Sequence, residues 1–300
     1  MRPTSPIVAL AVLTASSACE EPFELDDGGL IAHVVIDAQL EAGAAPLVGI
    51  RTVDVFGNPA AGAPVAESFV TLENSDGRTF ELPLAPQTPP SDSLALFTAL
   101  DEVIVAGLSY RLRVETPGFS RVVSETTVPA VATLQFAAER DDSLSYEPVT
   151  YDTAYDQLSV GFLVDAPGPG TEHYHILVTA LGESGASRLP VIFARNVSGS
   201  RDLGSAGVLL SGSAFAGGRI DNRILLDRGR LAAANAHSVE LEVRSVTRAY
   251  YEALAEADVV DSSPLGPLPG GADRPVGNIA GGRGLFTSYS TVRRALELDR

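Results

Sequence analysis

The amino-acid sequence predicts a mainly β protein made of two consecutive β-sandwiches with one short helix near the C-terminus. Three observations carry this. Apolar and polar residues alternate over short runs, clusters of Gly, Pro, Asn and Asp punctuate those runs, and a single segment has helical spacing. The length of 300 residues suits about two domains, and 45% hydrophobic with 20% charged residues is the composition of a globular chain.

The first sandwich is expected over residues 30–130. Leu30 to Ala38 is a β-rich run bounded by Gly28-Gly29 and Gly43. Val65 to Glu73 alternates, and Asn74-Ser75-Asp76-Gly77 supplies a hairpin turn with glycine free to take positive φ. Thr79 to Leu84 returns as the partner strand, and Pro86 to Ser91 forms a loop before Leu94 to Leu100 resumes apolar character. Tyr110 to Glu115 has the clearest period of two, with Tyr110, Leu112 and Val114 facing a core. Thr116-Pro117-Gly118 then turns the chain into Phe119 to Val128. About seven strands in roughly 100 residues point to a sandwich of immunoglobulin or fibronectin type.

Pro129 and the acidic run Glu139-Arg140-Asp141-Asp142 mark a junction near 130–145, and the second sandwich is expected over 145–300. Leu158 to Val164 reads as a strand, and Asp165-Ala166-Pro167-Gly168-Pro169-Gly170 as a turn. Glu172 to Leu181 is expected to pair back as a hairpin. Arg219 to Leu226 and His237 to Val246 add two strands. The latter sets Val239, Leu241 and Val243 against Glu240, Glu242 and Arg244. A helix is predicted over about 248–258, with Thr247 as N-cap and Tyr250, Leu254 and Ala257 on one face. A loop with four prolines follows, and then the Gly-rich stretch 275–286.

Charge and cysteine usage bear on place. There are 38 acidic residues against 21 basic ones, all arginine, for a net charge of −17. The absence of lysine excludes Schiff-base and lysine-base chemistry, and the acidity opposes nucleic-acid binding. The single cysteine, Cys19, excludes a disulfide framework and a cysteine zinc cluster. It closes a leader of one arginine, a short apolar run from Ile7 to Leu13, and Ser16-Ser17-Ala18. Such a leader reads as a lipoprotein signal over 1–18, with Cys19 as the acylated first residue; the plainer reading is a signal peptide cut near Ala18. Residues 19–29 would be an acidic tether carrying Glu20, Glu21, Glu24, Asp26 and Asp27. The mature chain is then expected on the outer membrane, held by its lipid alone, facing the periplasm or the cell surface.

Specific residues carry a family likeness. Ala249-Tyr250-Tyr251-Glu252-Ala253-Leu254, the proline-rich loop, and Pro275-Val276-Gly277-Asn278-Ile279-Ala280-Gly281-Gly282-Arg283-Gly284-Leu285-Phe286 resemble the end of the envelope-lipoprotein family called domain of unknown function 4249. Tyr110 to Glu115, Pro117-Gly118-Phe119 and Ser124 to Pro129 resemble the close of its first domain, and Leu158 to Ile176 the opening of its second. The resemblance implies a Cys-anchored, mostly β protein, commonly encoded beside TonB-dependent outer-membrane receptors. It supplies no reaction, ligand or cofactor.

The residues themselves nominate little chemistry. In the closing motif, Gly281, Gly282 and Gly284 allow a tight backbone path and Asn278 can fix a turn, so that Leu285 and Phe286 are expected to plug the sandwich and close the chain back on its core. His173 and His175 fall on one face of a predicted strand, a two-ligand metal arrangement for which acidic residues could supply a third ligand, although no further His lies near in sequence. No Gly-x-Ser-x-Gly elbow occurs. The expected function is therefore non-enzymatic: an accessory or ligand-binding partner of a TonB-dependent transporter. The alternatives are a metal- or carboxylate-dependent envelope hydrolase and a purely structural envelope component.

Overall fold

The computed structural model describes residues 33–53, 65–86, 94–136, 149–152, 157–166, 173–183, 185–195, 197, 199–211, 218–261 and 277–298. The leader, Cys19, the acidic tether, the acidic run at 139–142, and Pro275 lie outside these residues. The alternating segments form strands: β1 (His33–Glu41), β2 (Leu47–Val53), β3 (Phe69–Asn74), β4 (Thr79–Glu81), β5 (Leu94–Thr98), β6 (Ser109–Glu115), β7 (Val122–Thr127), β8 (Thr133–Phe136) and β9 (Val149–Asp152). The chain continues with β10 (Gln157–Asp165), β11 (His173–Gly182), β12 (Gly185–Leu189), β13 (Ile192–Phe193), β14 (Ser200–Asp202), β15 (Val208–Ser211) and β16 (Arg219–Asp227). Helix α1 (Arg228–Ala233), β17 (Ala236–Val246), α2 (Arg248–Asp261) and β18 (Arg283–Glu297) complete it. The protein is mainly β, with few helices and several sheets.

One sheet runs through both halves of the sequence, in the order β14-β15-β11-β17-β18-β1-β2-β5, with β12 also paired to β11. The last strand makes it continuous. Residues 283–289 of β18 run parallel to β1, Val35 opposite Arg283 through Glu41 opposite Tyr289. Its remainder then runs antiparallel to β17, Tyr289 opposite Val246 through Glu297 opposite Ser238. A 15-residue strand thus serves two neighbours in succession, one on each edge.

Two apolar cores lie against this sheet. In the first, Ile36, Leu40, Ile50 and Phe97 meet Val70, Leu72, Tyr110 and Leu112 from the sheet β4-β3-β6-β7. In the second, Tyr174, Ile176, Leu241 and Val243 meet Leu158, Phe162 and Ile224 from the sheet built on β10 and β16. The chain passes between them over 128–132, since Val128 is buried in one core and Ala132 in the other. One face of β18 matches this division. Phe286 fills the first core, while Val292 and Leu296 pack on the second. Between them, Ser288 Oγ donates to the Thr127 carbonyl at 3.0 Å and Ser290 Oγ to the Ala130 carbonyl at 2.9 Å. The two serines pin the crossing segment to the shared strand.

Two expectations are corrected. The strands around 158–164 and 172–181 do not form a hairpin: β10 pairs with β16, β8 and β9, whereas β11 lies in the long sheet beside β17, β15 and β12. Both strands are buried along nearly their whole length, and only their separation into facing sheets gives each an apolar neighbour on its core side. A second helix, α1, also appears, capped by Asp227, whose side chain accepts from Arg230 N. Six residues are too few to show helical periodicity in a sequence.

Candidate functional site

The closing motif is built from backbone groups and one amide side chain. Asn278 Nδ2 donates to the Phe286 carbonyl at 2.6 Å, and Phe286 N donates back to Asn278 Oδ1 at 3.0 Å. The amide thereby imitates a strand neighbour for one residue at the entry to β18. Ser124 Oγ donates to the Asn278 carbonyl at 2.7 Å, and Ala280 exchanges backbone bonds with Val123. Glycine is required where this path meets β1. Gly284 has φ +105°, and a methyl group there would overlap the Ile36 carbonyl oxygen; one at Gly282 would lie 2.8 Å from the Val34 carbonyl oxygen. Ile279 packs beside the first core, and Phe286 is inside it.

The second cluster lies on the other face of the long sheet, beneath α2. Period two places Glu242 and Arg244 of β17, His173 and His175 of β11, and Tyr289 and Arg293 of β18 on that face. Helix α2 begins directly after β17, where Thr247 Oγ1 accepts from Tyr250 N at 3.3 Å, and its first turn lowers two tyrosines onto the strands. Tyr251 stacks on His173 with ring centroids 4.5 Å apart, and Tyr250 is buried against His175 and Tyr289.

The hydrogen bonds here run in one direction. Arg244 Nη1 donates to Tyr250 Oη at 3.1 Å, and the Tyr250 hydroxyl donates to His175 Nδ1 at 3.0 Å. His175 Nε2 donates to the Ala206 carbonyl at 2.6 Å, which fixes the neutral tautomer. Desolvation by burial holds the imidazole down at about 4 against its ordinary 6.5, and the Arg244 charge works the same way. Both ring nitrogens are engaged within the protein.

Glu242 is the electrostatic centre. It is 2% exposed and accepts from Arg244 Nε at 2.6 Å, Arg188 at 3.2 Å and Arg293 at 3.4 Å. Burial alone would raise its carboxyl, but Arg244 and Arg293 outweigh that and hold it below the ordinary value. Arg293 also reaches Glu41 of β1 at 3.5 Å, and Tyr289 Oη donates to Glu41 at 3.0 Å. The Arg244 guanidinium lies 4.8 Å from the Tyr289 ring centroid, and burial pushes the Tyr289 hydroxyl up to about 12. Side chains from β1, β11, β12, β17, β18 and α2 close into one network that spans the line between the two halves of the sheet.

His173 and His175 therefore share a face, but each meets a tyrosine. Among the described residues, no group of three or more His, Cys, Asp or Glu side chains is placed to hold a metal ion. Tyr250 and Tyr251 join the histidines, whereas Asn278, Ile279, Gly282, Gly284 and Phe286 gather at the other half of β18. The residues that sequence reasoning passed over are Glu242, Arg244, Arg293 and Glu41, because an alternating Glu-x-Arg strand reads as a solvated face. The available signal was position: a helix with two tyrosines starting one residue after that strand has to cover one of its faces.

Fold and clusters together define a β protein whose buried ionisable groups are turned on one another, around a strand shared by two cores. The chain belongs to the family described as Domain of unknown function (DUF4249), which it matches over residues 20–295. No match is found among curated proteins.

Proposed function

We propose that this chain is a non-enzymatic lipoprotein of the outer membrane that acts with a TonB-dependent transporter in capturing or handing over a nutrient. In this reading Cys19 carries the lipid, and the two cores are β-sandwich modules of immunoglobulin-like type held in register by β18. The observation that carries the non-catalytic part is the state of the His/Tyr/Glu cluster. His175 has both nitrogens engaged and Glu242 is enclosed by three arginines, so neither is left to act on a bound molecule. The hydrolase alternative would draw on His173 and His175, which are stacked on or bonded to Tyr251 and Tyr250. The receptor partner rests on membership of the family and on the leader ending at Cys19.

The test is affinity purification of the full chain from detergent-solubilised membranes, with Cys19→Ser as the control. Recovery of an outer-membrane receptor with the native chain, reduced for Cys19→Ser, is the expected result. Failure to recover any receptor under mild detergent would overturn the reading.

A further inference from the structure

At one end of the first core the chain holds apolar side chains out in water. Of the eight large apolar residues that are exposed among the described residues, four lie here: Leu47, Leu100, Val103 and Val105. Leu100 is 73% exposed and stands at the apex of a β-turn closed by Glu102 N donating to the Ala99 carbonyl at 3.1 Å. Polar residues and proline favour such an apex, and an apolar chain there gains nothing from folding. Val103 and Val105 flank the buried Ile104, so the alternation that seats Ile104 turns both valines outward.

This surface is rigidly presented. Ile104 exchanges backbone bonds with the β1–β2 turn, donating to the Ala44 carbonyl at 3.0 Å and accepting from Gly43 N at 2.8 Å. Val105 N donates to the buried Tyr110 hydroxyl at 2.8 Å, and Gly107 N to the Val128 carbonyl at 2.8 Å. Three exposed apolar groups within the six residues 100–105 of one preorganised segment mark an interaction site, whereas singly scattered ones do not.

Position and charge select the occupant. His33 and Val53 pair with each other at the end of β1 and β2 opposite to the β1–β2 turn that holds Ile104. The end at Leu100 is thus remote from His33. Asp101 shares the turn apex with Leu100, and the chain as a whole carries −17. A second copy would meet like charge, and an anionic lipid surface would repel the acidic apex.

We propose that this end is the docking surface for a protein partner that offers an apolar recess bordered by arginine or lysine. In the identity of that partner, the receptor, the proposal rests on the reading above. The test places a photo-crosslinking amino acid at position 100, 103 or 192 of the full chain in living cells. Ile192 serves as an exposed apolar control on β13. The expected result is a protein adduct from 100 and 103 and none from 192, with the adduct identified as an outer-membrane receptor. In the parallel purification, Leu100→Ser with Val103→Ser should lower receptor recovery about ten-fold, while Ile192→Ser leaves it unchanged. A tip-specific adduct to another basic-rimmed protein keeps the surface and overturns the receptor reading. Adducts to lipid, to a second copy, or to nothing at 100 and 103 overturn the surface, whatever the native chain recovers.

Discussion

The two ends of β18 solve the same problem by opposite means. At its start, residues 277–286 join the first core through backbone bonds, glycines and a single asparagine, all within one short stretch of sequence. Further along the strand, the second half is fastened by a cluster of charged and aromatic side chains from six elements. The first device depends on close approach, so it tolerates no added atoms. The second depends on mutual satisfaction of buried charge, so it tolerates no missing partner. Close packing fails by overlap, and buried electrostatics fail by desertion.

Substitutions that separate these two failures test the contrast. The largest effect is expected at Gly284. A side chain there would meet the Ile36 carbonyl at a φ of +105°, so Gly284→Ala should cost more than about 4 kcal/mol or abolish soluble expression. Gly43→Ala has a φ of +84° but nothing within 4 Å, and should cost only about 1 kcal/mol by denaturant unfolding. Equal losses at the two sites would show that backbone conformation, not the approach to β1, sets the requirement.

Next comes Glu242→Ala, which leaves the largely buried Arg244 without its carboxylate while Arg188 and Arg293 still reach water, and should destabilise by about 3 kcal/mol. Equilibrium unfolding measures it. A loss below about 1 kcal/mol would mean that Arg244 also finds water and that the cluster does not fasten the second half.

The same cluster should make stability depend on pH. His175 is held neutral in the fold, near 4, whereas in the unfolded chain it takes up a proton near 6.5. Its contribution is therefore complete above about 6.5 and is lost as pH falls toward 4, up to roughly 3 kcal/mol. Glu242 is depressed below its ordinary 4.5, so its own loss begins at lower pH. Unfolding free energies should accordingly fall between pH 6.5 and 4.5, and His175→Gln should flatten that slope. An unchanged slope in the variant would assign the titration elsewhere.

The smallest effect is expected at Asn278→Ala. The change removes the two bonds to Phe286 at the partly exposed entry to β18 and should cost about 1–2 kcal/mol. Hydrogen exchange at the Phe286 amide reads it locally. Protection unchanged from the native chain would break the comparison, because the closing motif would then hold without its amide.

How much of this was legible in the sequence differs between the two devices. Asn278, Gly282, Gly284 and Phe286 stand out because a glycine-rich turn announces a backbone constraint within a few residues of itself. Glu242 and Arg244 do not, since alternation reports which residues share a face and not whether that face is covered. The helix that covers them was legible as a helix. That Tyr250 would bond His175, 75 residues earlier in the chain, was not.

By itself the sequence determined the β character, the turn at Asn74 to Gly77, the start of α2 at Thr247 and the glycine-dependent entry to β18. Each of these is set by side-chain periodicity or local backbone preference. Only the tertiary structure decided that β10 and β11 lie in different sheets, that β18 serves both β1 and β17, and that a strand's polar face becomes a buried charge network. These are choices among long-range pairings with similar local energies. They are settled by which arrangement buries both apolar faces while leaving each buried charge a partner.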